Sequence, residues 1–237
     1  METKKTFDGD LALKTGWNGV KSNIGLFIPL LIVVLIATIG ANFFAETLKE
    51  KIWLRLVYQI FYLAFSVLVT LGFTRIYLNI IDGVAPKFQD FFKSTGMFLE
   101  AFIANIFIWL VAFLVTIVFL IPVWFLAKAH QGLATIFFIS LGVIILLYLN
   151  IRWGFFMYFI VDKEAGPISA LSESWKLTKG LTWKLLLFGL AIIGVNTIGI
   201  LCLLIGLFIT VPLSALAITH IYRQLVNQIP VQPSTAN

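Results

Sequence analysis

Charged side chains are scarce in this sequence. Asp, Glu, Lys and Arg make up 12% of its 237 residues, against 60% hydrophobic residues and a mean hydropathy of +1.01. A soluble domain carries about a quarter charged residues because its surface faces water, so water is not the main solvent of this chain. Cysteine is scarcer still. Cys202 stands alone in an apolar run, which excludes an intrachain disulfide framework and leads us to expect a buried, inert thiol. The usual clusters of reactive residues are missing as well. There is no His-Glu-x-x-His helix, no glycine-rich phosphate loop and no pair of acids on one apolar run, and His130 and His220 fall at opposite ends of the expected bundle. No catalytic residue, metal ligand or cofactor is expected from such a set.

What is present is length without charge. Uncharged apolar runs cover Ile24 to Ala45, Leu56 to Phe73, Ala101 to Ala127, Leu133 to Ile151, and Leu185 to Tyr222. A membrane-crossing helix needs about 20 apolar residues, so the last run must be split, and a turn is expected between Gly206 and Pro212 because proline lacks the amide hydrogen of a helix interior. The first run is too long for a signal-peptide core and is expected to be a retained span. The expected fold is all-α, a polytopic transmembrane bundle of about six helices filling residues 1–229, with a disordered tail at 230–237. Gly194, Gly199 and Gly206 are expected to serve close helix packing.

Lysine and arginine set the orientation. With the N-terminus, the second and fourth loops and the C-terminus on one side, that side collects twelve Lys and Arg and the other four, Arg152 being left inside a span. Both termini are therefore expected in the cytoplasm, in a multi-pass protein of the inner (cytoplasmic) membrane. The net charge of +6 then lies mostly against anionic lipid, which accounts for the basic balance without a nucleic-acid partner.

The segment from Gly166 to Gly180 has a second periodicity. Pro167 suits a first helical turn, and Ile168, Leu171, Trp175 and Thr178 share one face while Ser172, Glu173, Lys176 and Lys179 fall elsewhere. A short amphipathic helix at the interface is expected, with Trp175 and Trp183 as anchors and Lys179 toward phosphates. Ala12-Leu13, Trp17 and Lys21 repeat the spacing of Ala170-Leu171, Trp175 and Lys179, so Trp17 is expected to anchor a matching N-terminal helix. A weaker copy falls at Phe88, Phe92 and Thr95, with Asp90 and Lys93 as polar positions. Three units of interfacial helix plus hairpin would account for the chain, and ordinary membrane-anchoring loops would give similar patterns.

Gly166-Pro167, Ala170-Leu171, Ser174-Trp175, Thr178-Lys179-Gly180, Trp183, Pro212 and Tyr222 together resemble the C-terminal half of a bacterial group of six-span membrane proteins. That group includes YciC-like proteins and the membrane domain attached to some glycerophosphoryl diester phosphodiesterases. The resemblance covers mainly residues 150–225. It implies a fold and a lipid-proximal setting, without the soluble domain that would supply catalysis.

Charges near membrane depth each need a partner or a route to the interface. Glu100 opens the third run and Arg152 closes the fourth, so an ion pair between them is one expectation, with snorkelling of Arg152 the other. Arg75, Arg152 and Arg223 each stand near the same end of an even-numbered span, and a converging trio would suit a phosphate headgroup. Three separate topology anchors would leave the same pattern. The leading functional reading is a non-enzymatic membrane protein that binds or organises anionic lipid or assists a partner at the inner leaflet. The rival is a small transporter or channel whose path is lined by Asn105, Asn150, Arg152 and Asn196. The charge asymmetry predicts that reporter fusions at Asn237 and within Thr47 to Lys51 report opposite sides of the membrane, and agreement between the two fusions would rule the topology out.

Overall fold

A computed structural model describes residues 5–48, 50–202 and 205–228. In chain order the elements are α1 (Gly9–Thr47), α2 (Ile52–Ile81), two 3-10 turns (Phe88–Phe92 and Thr95–Met97), α3 (Phe98–Lys128), α4 (Gly132–Trp153), α5 (Phe156–Lys163), α6 (Pro167–Thr178), α7 (Thr182–Leu201) and α8 (Leu207–Val226). No strand occurs among the described residues. The tail expected at 230–237 lies outside them. Five helical stretches are long and apolar enough to cross a bilayer: Gly9–Thr47, Ile52–Ile81, Phe88–Lys128, Gly132–Lys163 and Thr182–Leu201. Their surfaces expose Val33, Ile36, Phe43, Trp109, Phe113 and Ile144 by more than half, as suits lipid contact. The fold is an all-α membrane bundle. The expected sixth span is α8, equal to α7 at 20 residues but more polar at its end, where His220, Arg223 and Gln224 stand.

The chain gathers into two compact units: the described residues of Met1–Phe98 with Trp183–Asn237, and Leu99–Thr182. In the first, α1 is two helices joined at Asn23, whose backbone leaves helical geometry at φ −124° and ψ 21°. The Asn23 amide donates to Gly19 O at 2.9 Å and so satisfies a carbonyl beside the break. Before the break, Ala12, Gly16 and Val20 form a buried stripe of small residues against α8. A Cβ on Gly16 would stand 2.6 Å from Leu213 O and 3.2 Å from Ala217 N, so only glycine permits this backbone approach. Beyond the crossing, Val20, Phe27 and Leu30 pack with Phe73, Ile76 and Tyr77 of α2 and Leu213 and Leu216 of α8.

Two polar ties close the same unit. The side-chain amide of Gln224 accepts from Asp8 N at 2.8 Å and donates to Asp8 O at 3.3 Å. One turn on, Gln228 accepts from Thr6 N at 3.0 Å and donates to Thr6 O at 2.6 Å. The two amides treat the extended N-terminal backbone as a strand would, while the Asp8 carboxylate caps α1 by accepting from Leu11 N at 2.9 Å. The turn between α7 and α8 falls upstream of where proline placed it. α7 ends at Leu201, α8 starts at Leu207, and Pro212 lies within α8. Glycine decides the position, since a Cβ on Gly206 would come within 2.7 Å of Gly199 Cα, whereas Pro212 removes a single N–H from the second turn of a helix. Gly199 and Gly206 thus serve close packing as expected, and Gly194 has open space around it. Cys202, expected buried, is exposed at this turn.

In the second unit, α3 and α4 form an antiparallel hairpin whose turn is completed by His130 at φ 56°. Phe119 lies 3.1 Å from where a Gly142 Cβ would stand, and the rings of Phe107 and Trp153 meet at 6.0 Å, which fixes the register. α4 breaks at Gly154, and the polar backbone exposed there is satisfied from α6. Ser174 Oγ accepts from Phe155 N at 3.1 Å and donates to Arg152 O at 2.9 Å, and Thr178 Oγ1 lies 3.3 Å from the same carbonyl. The buried face of α6 is therefore Ala170, Leu171, Ser174, Leu177 and Thr178. With Trp17 set against Trp175, the buried Ala12, Gly16 and Val20 of α1 correspond to the buried Ala170, Ser174 and Thr178 of α6.

Two substitutions test these contacts in detergent-solubilised protein. Gly16→Val is expected to destabilise by about 1–3 kcal/mol or more through overpacking against backbone. Gly25→Val, with nothing within 4 Å, serves as its control, and equal melting of the two sinks the close crossing. Ser174→Val removes the hydroxyl that bonds both Phe155 N and Arg152 O and is expected to cost about 1–3 kcal/mol. Ser172→Val, on the exposed face of α6, is expected to stay within about 0.5 kcal/mol of wild type, and a comparable loss there would refute the latch.

Candidate functional site

The end of α2 is shaped by Gly83. Its φ of 75° allows the Schellman arrangement in which Val84 N donates to Asn79 O at 2.8 Å and Gly83 N to Ile80 O at 3.2 Å. The chain then turns back along α2. Gly72 leaves room for the Phe91 ring, which meets Phe73 edge-on at 5.5 Å. Deeper in the returning loop, Ser94 is buried and its Oγ accepts from Arg75 Nε at 3.0 Å. Asp90, 3% exposed, accepts from Asn79 Nδ2 at 3.1 Å and from Lys87 N at 2.8 Å, and pairs with Lys93 Nζ at 2.6 Å.

The result is an open pocket of about 400 Å³ lined by Arg75, Asn79, Val84, Ala85, Lys87, Asp90 and Lys93. Three cations face a single acid that already has three donors, so the lining carries a surplus of two positive charges. The charge of this lining suits an anion, and the guanidinium of Arg75 keeps its terminal nitrogens while Nε is held by Ser94. The exposed Val84, Phe88 and Phe92 add apolar surface beside it.

Of the arginine trio, Arg75 alone lines this pocket. Arg223 of α8 makes a bidentate pair with Asp82, Nε to Oδ1 at 2.8 Å and Nη2 to Oδ2 at 2.6 Å, two turns beyond Arg75 on α2. Arg152 belongs to the other unit, where its guanidinium carbon lies 4.3 Å from the Trp175 ring centroid and 5.9 Å from that of Tyr148. Glu100 shares that unit, yet no ion pair joins it to Arg152 among the described residues, and its Oε2 is buried without a partner. The hairpin register explains the separation. Trp153 meets Phe107, so Arg152 sits roughly two turns, about 12 Å, along α3 from Glu100.

The expected anchors divide in two. Trp17 and Trp183 are exposed, at 50% and 75%, and Lys179 is exposed where α6 ends. Trp175 is half-buried between Arg152, Tyr148 and Trp153, so its ring meets protein. Of the polar side chains proposed for a path, Asn105 Nδ2 donates to Ala101 O of its own helix at 2.8 Å, and Asn196 Nδ2 donates to Ile192 O of its own helix at 3.0 Å and to Ser214 Oγ of α8 at 3.0 Å. Among the described residues, no three His, Cys, Asp or Glu side chains gather closely enough to hold a metal ion. Lys87, Lys93 and Asn79 were not singled out as ligands by the sequence. The available signals were a glycine just past the end of α2 and an Asp-x-x-Lys spacing, both common in loops.

No curated protein and no solved structure matches the chain. Residues 119–229 match the family described as the membrane domain of glycerophosphoryl diester phosphodiesterase, the same domain that the motif from Gly166 to Tyr222 resembles. The match takes in α4 to α8, including the Ser174 latch and Arg152, and leaves the Arg75 pocket outside it. With its apolar helices and a segment similar to that membrane domain over a little under half of its length, this chain is a multi-pass integral membrane protein.

Proposed function

We propose that this protein binds the phosphate of an anionic lipid through Arg75, Lys87 and Lys93 at the end of α2, and that it acts in the membrane without catalysing a reaction. One observation carries the reading: three cations around an open pocket whose sole acid, Asp90, is saturated by its neighbours. Val84, Phe88 and Phe92 beside the pocket favour a lipid over a soluble anion, because acyl chains can lie on their exposed surface. The charge asymmetry of the loops supports a cytoplasmic position for this end of α2, where anionic headgroups attract basic side chains. The family matched by residues 119–229 is named for an enzyme of glycerophosphoryl diesters, and a headgroup phosphate is of that chemical kind. Arg223 and Arg152 have other neighbours, so Arg75 is the member of the trio on which this reading depends.

Melting of the purified protein in mixed micelles tests the proposal. Phosphatidylglycerol is expected to raise the melting temperature of the wild type above the value in phosphatidylcholine. Replacing Arg75, Lys87 and Lys93 with Gln removes about 1 kcal/mol of attraction per residue, so affinity for the anionic lipid should fall about a hundredfold. Lys51→Gln, at the opposite end of α2, should leave it unchanged. An undiminished response in the triple variant would end the proposal.

A further inference from the structure

Among the described residues two charged side chains are buried, Asp90 and Arg152. Asp90 receives three donors. Arg152, 3% exposed, has no acceptor for its guanidinium among the described residues, and its Nε is sealed from solvent without a partner. A buried charge in that condition is costly, and the acids of the same unit do not relieve it: Glu100 lies two turns away along the hairpin, Glu173 is paired with Lys176 at 2.8 Å, Asp162 is paired with Lys163 at 3.4 Å, and no ion pair joins Arg152 to Glu164 among the described residues. The guanidinium carbon lies over the Trp175 ring, 4.3 Å from its centroid. Stacking uses the face and leaves the edge, where the terminal nitrogens are not sealed off. A guanidinium held over a ring, with its terminal donors unpartnered among the described residues, can grip two oxygens of an oxyanion.

We propose that the edge of Arg152 is a second binding site, for a phosphate oxyanion, built into the latch between α4 and α6. The site belongs to the second unit, and its argument does not rest on the Arg75 pocket of the first. It also has a structural consequence. Arg152 O is the carbonyl to which Ser174 donates, and Trp175 follows Ser174, so an anion on the guanidinium fixes both the side chain and the backbone on which α6 rests. Trp175 is then a positioning residue that holds the arginine edge-on.

The test uses the full chain in the background of Arg75→Gln, Lys87→Gln and Lys93→Gln, so that the three cations of the pocket contribute nothing to the readout. Melting is followed in detergent alone, with phosphatidylglycerol, with phosphatidylcholine, and with inorganic phosphate. In detergent alone, Arg152→Met should melt within about 2 °C of its parent, because the unpaired charge and the lost stacking offset each other. Phosphatidylglycerol or inorganic phosphate should raise the parent by about 2–4 °C and leave Arg152→Met unmoved. A rise with both shows that any phosphate serves, and a rise with phosphatidylglycerol alone shows that the lipid is required. A loss in Arg152→Met that is the same with and without either phosphate source overturns the proposal, as does a rise that survives in the variant. If Arg152→Met does not fold, Arg152→Lys replaces it. Lysine keeps the charge without the fork, so it should retain less than half of the rise, and a full rise in it is equally fatal.

Discussion

A backbone carbonyl or amide left open in hydrocarbon has no water to turn to, and this requirement governs how the chain breaks its helices. At Asn23 the side-chain amide satisfies Gly19 O beside the kink in α1. At Gly154, where α4 stops, Ser174 reaches across from α6 to satisfy both Arg152 O and Phe155 N. At the N-terminus, Gln224 and Gln228 supply donors and acceptors to the backbone of Thr6 and Asp8. Small and amide side chains therefore stand where the chain turns, and the positions they occupy decide which helices can be neighbours.

Charge follows the same rule with fewer participants. In the first unit two acids have counterparts: Asp82 with Arg223, and Asp90 with Lys93 and two further donors. The Asp82 pair ties the ends of α2 and α8, while the Asp90 group holds the returning loop that brings Lys87 and Lys93 to Arg75. The cationic pocket is thus a by-product of how α2 ends: a Schellman turn at Gly83, a loop docked by Phe91 on Gly72, and an acid consumed in holding that loop. Arg152 departs from the pattern, with an aromatic ring in place of a carboxylate, and this makes its donors available to a ligand.

The apolar helices and the resemblance over the C-terminal half were legible in the sequence because each depends on a local property. A run from Ala101 to Ala127 is apolar whatever surrounds it. The split of the long last run was legible for the same reason, although its position was not. Proline signalled it, and the contact of Gly199 with Gly206, visible once two helices are antiparallel, placed it. Of the candidate site, Arg75 was legible from its place at a span end. Its pocket was not, because Asn79, Asp90 and Ser94 acquire their meaning from a loop that doubles back, and nothing in the spacing of Asp90 and Lys93 distinguishes that loop from an exposed one.

The sequence by itself determined the solvent of this protein and the approximate bounds of five membrane-length helices, since hydropathy sums along the chain and needs no partner; the sixth expected span, α8, falls short of the other five. Which charges are matched was decided by tertiary structure alone. Asp82 and Arg223 are 141 residues apart and meet because α2 and α8 end together. Glu100 and Arg152, the pair that spacing proposed, are kept apart by the register of one hairpin, in which Phe107 meets Trp153 and Phe119 meets Gly142. An ion pair requires its atoms within a few ångströms, and a shift of two helical turns, invisible in composition, is enough to leave one arginine without an acid.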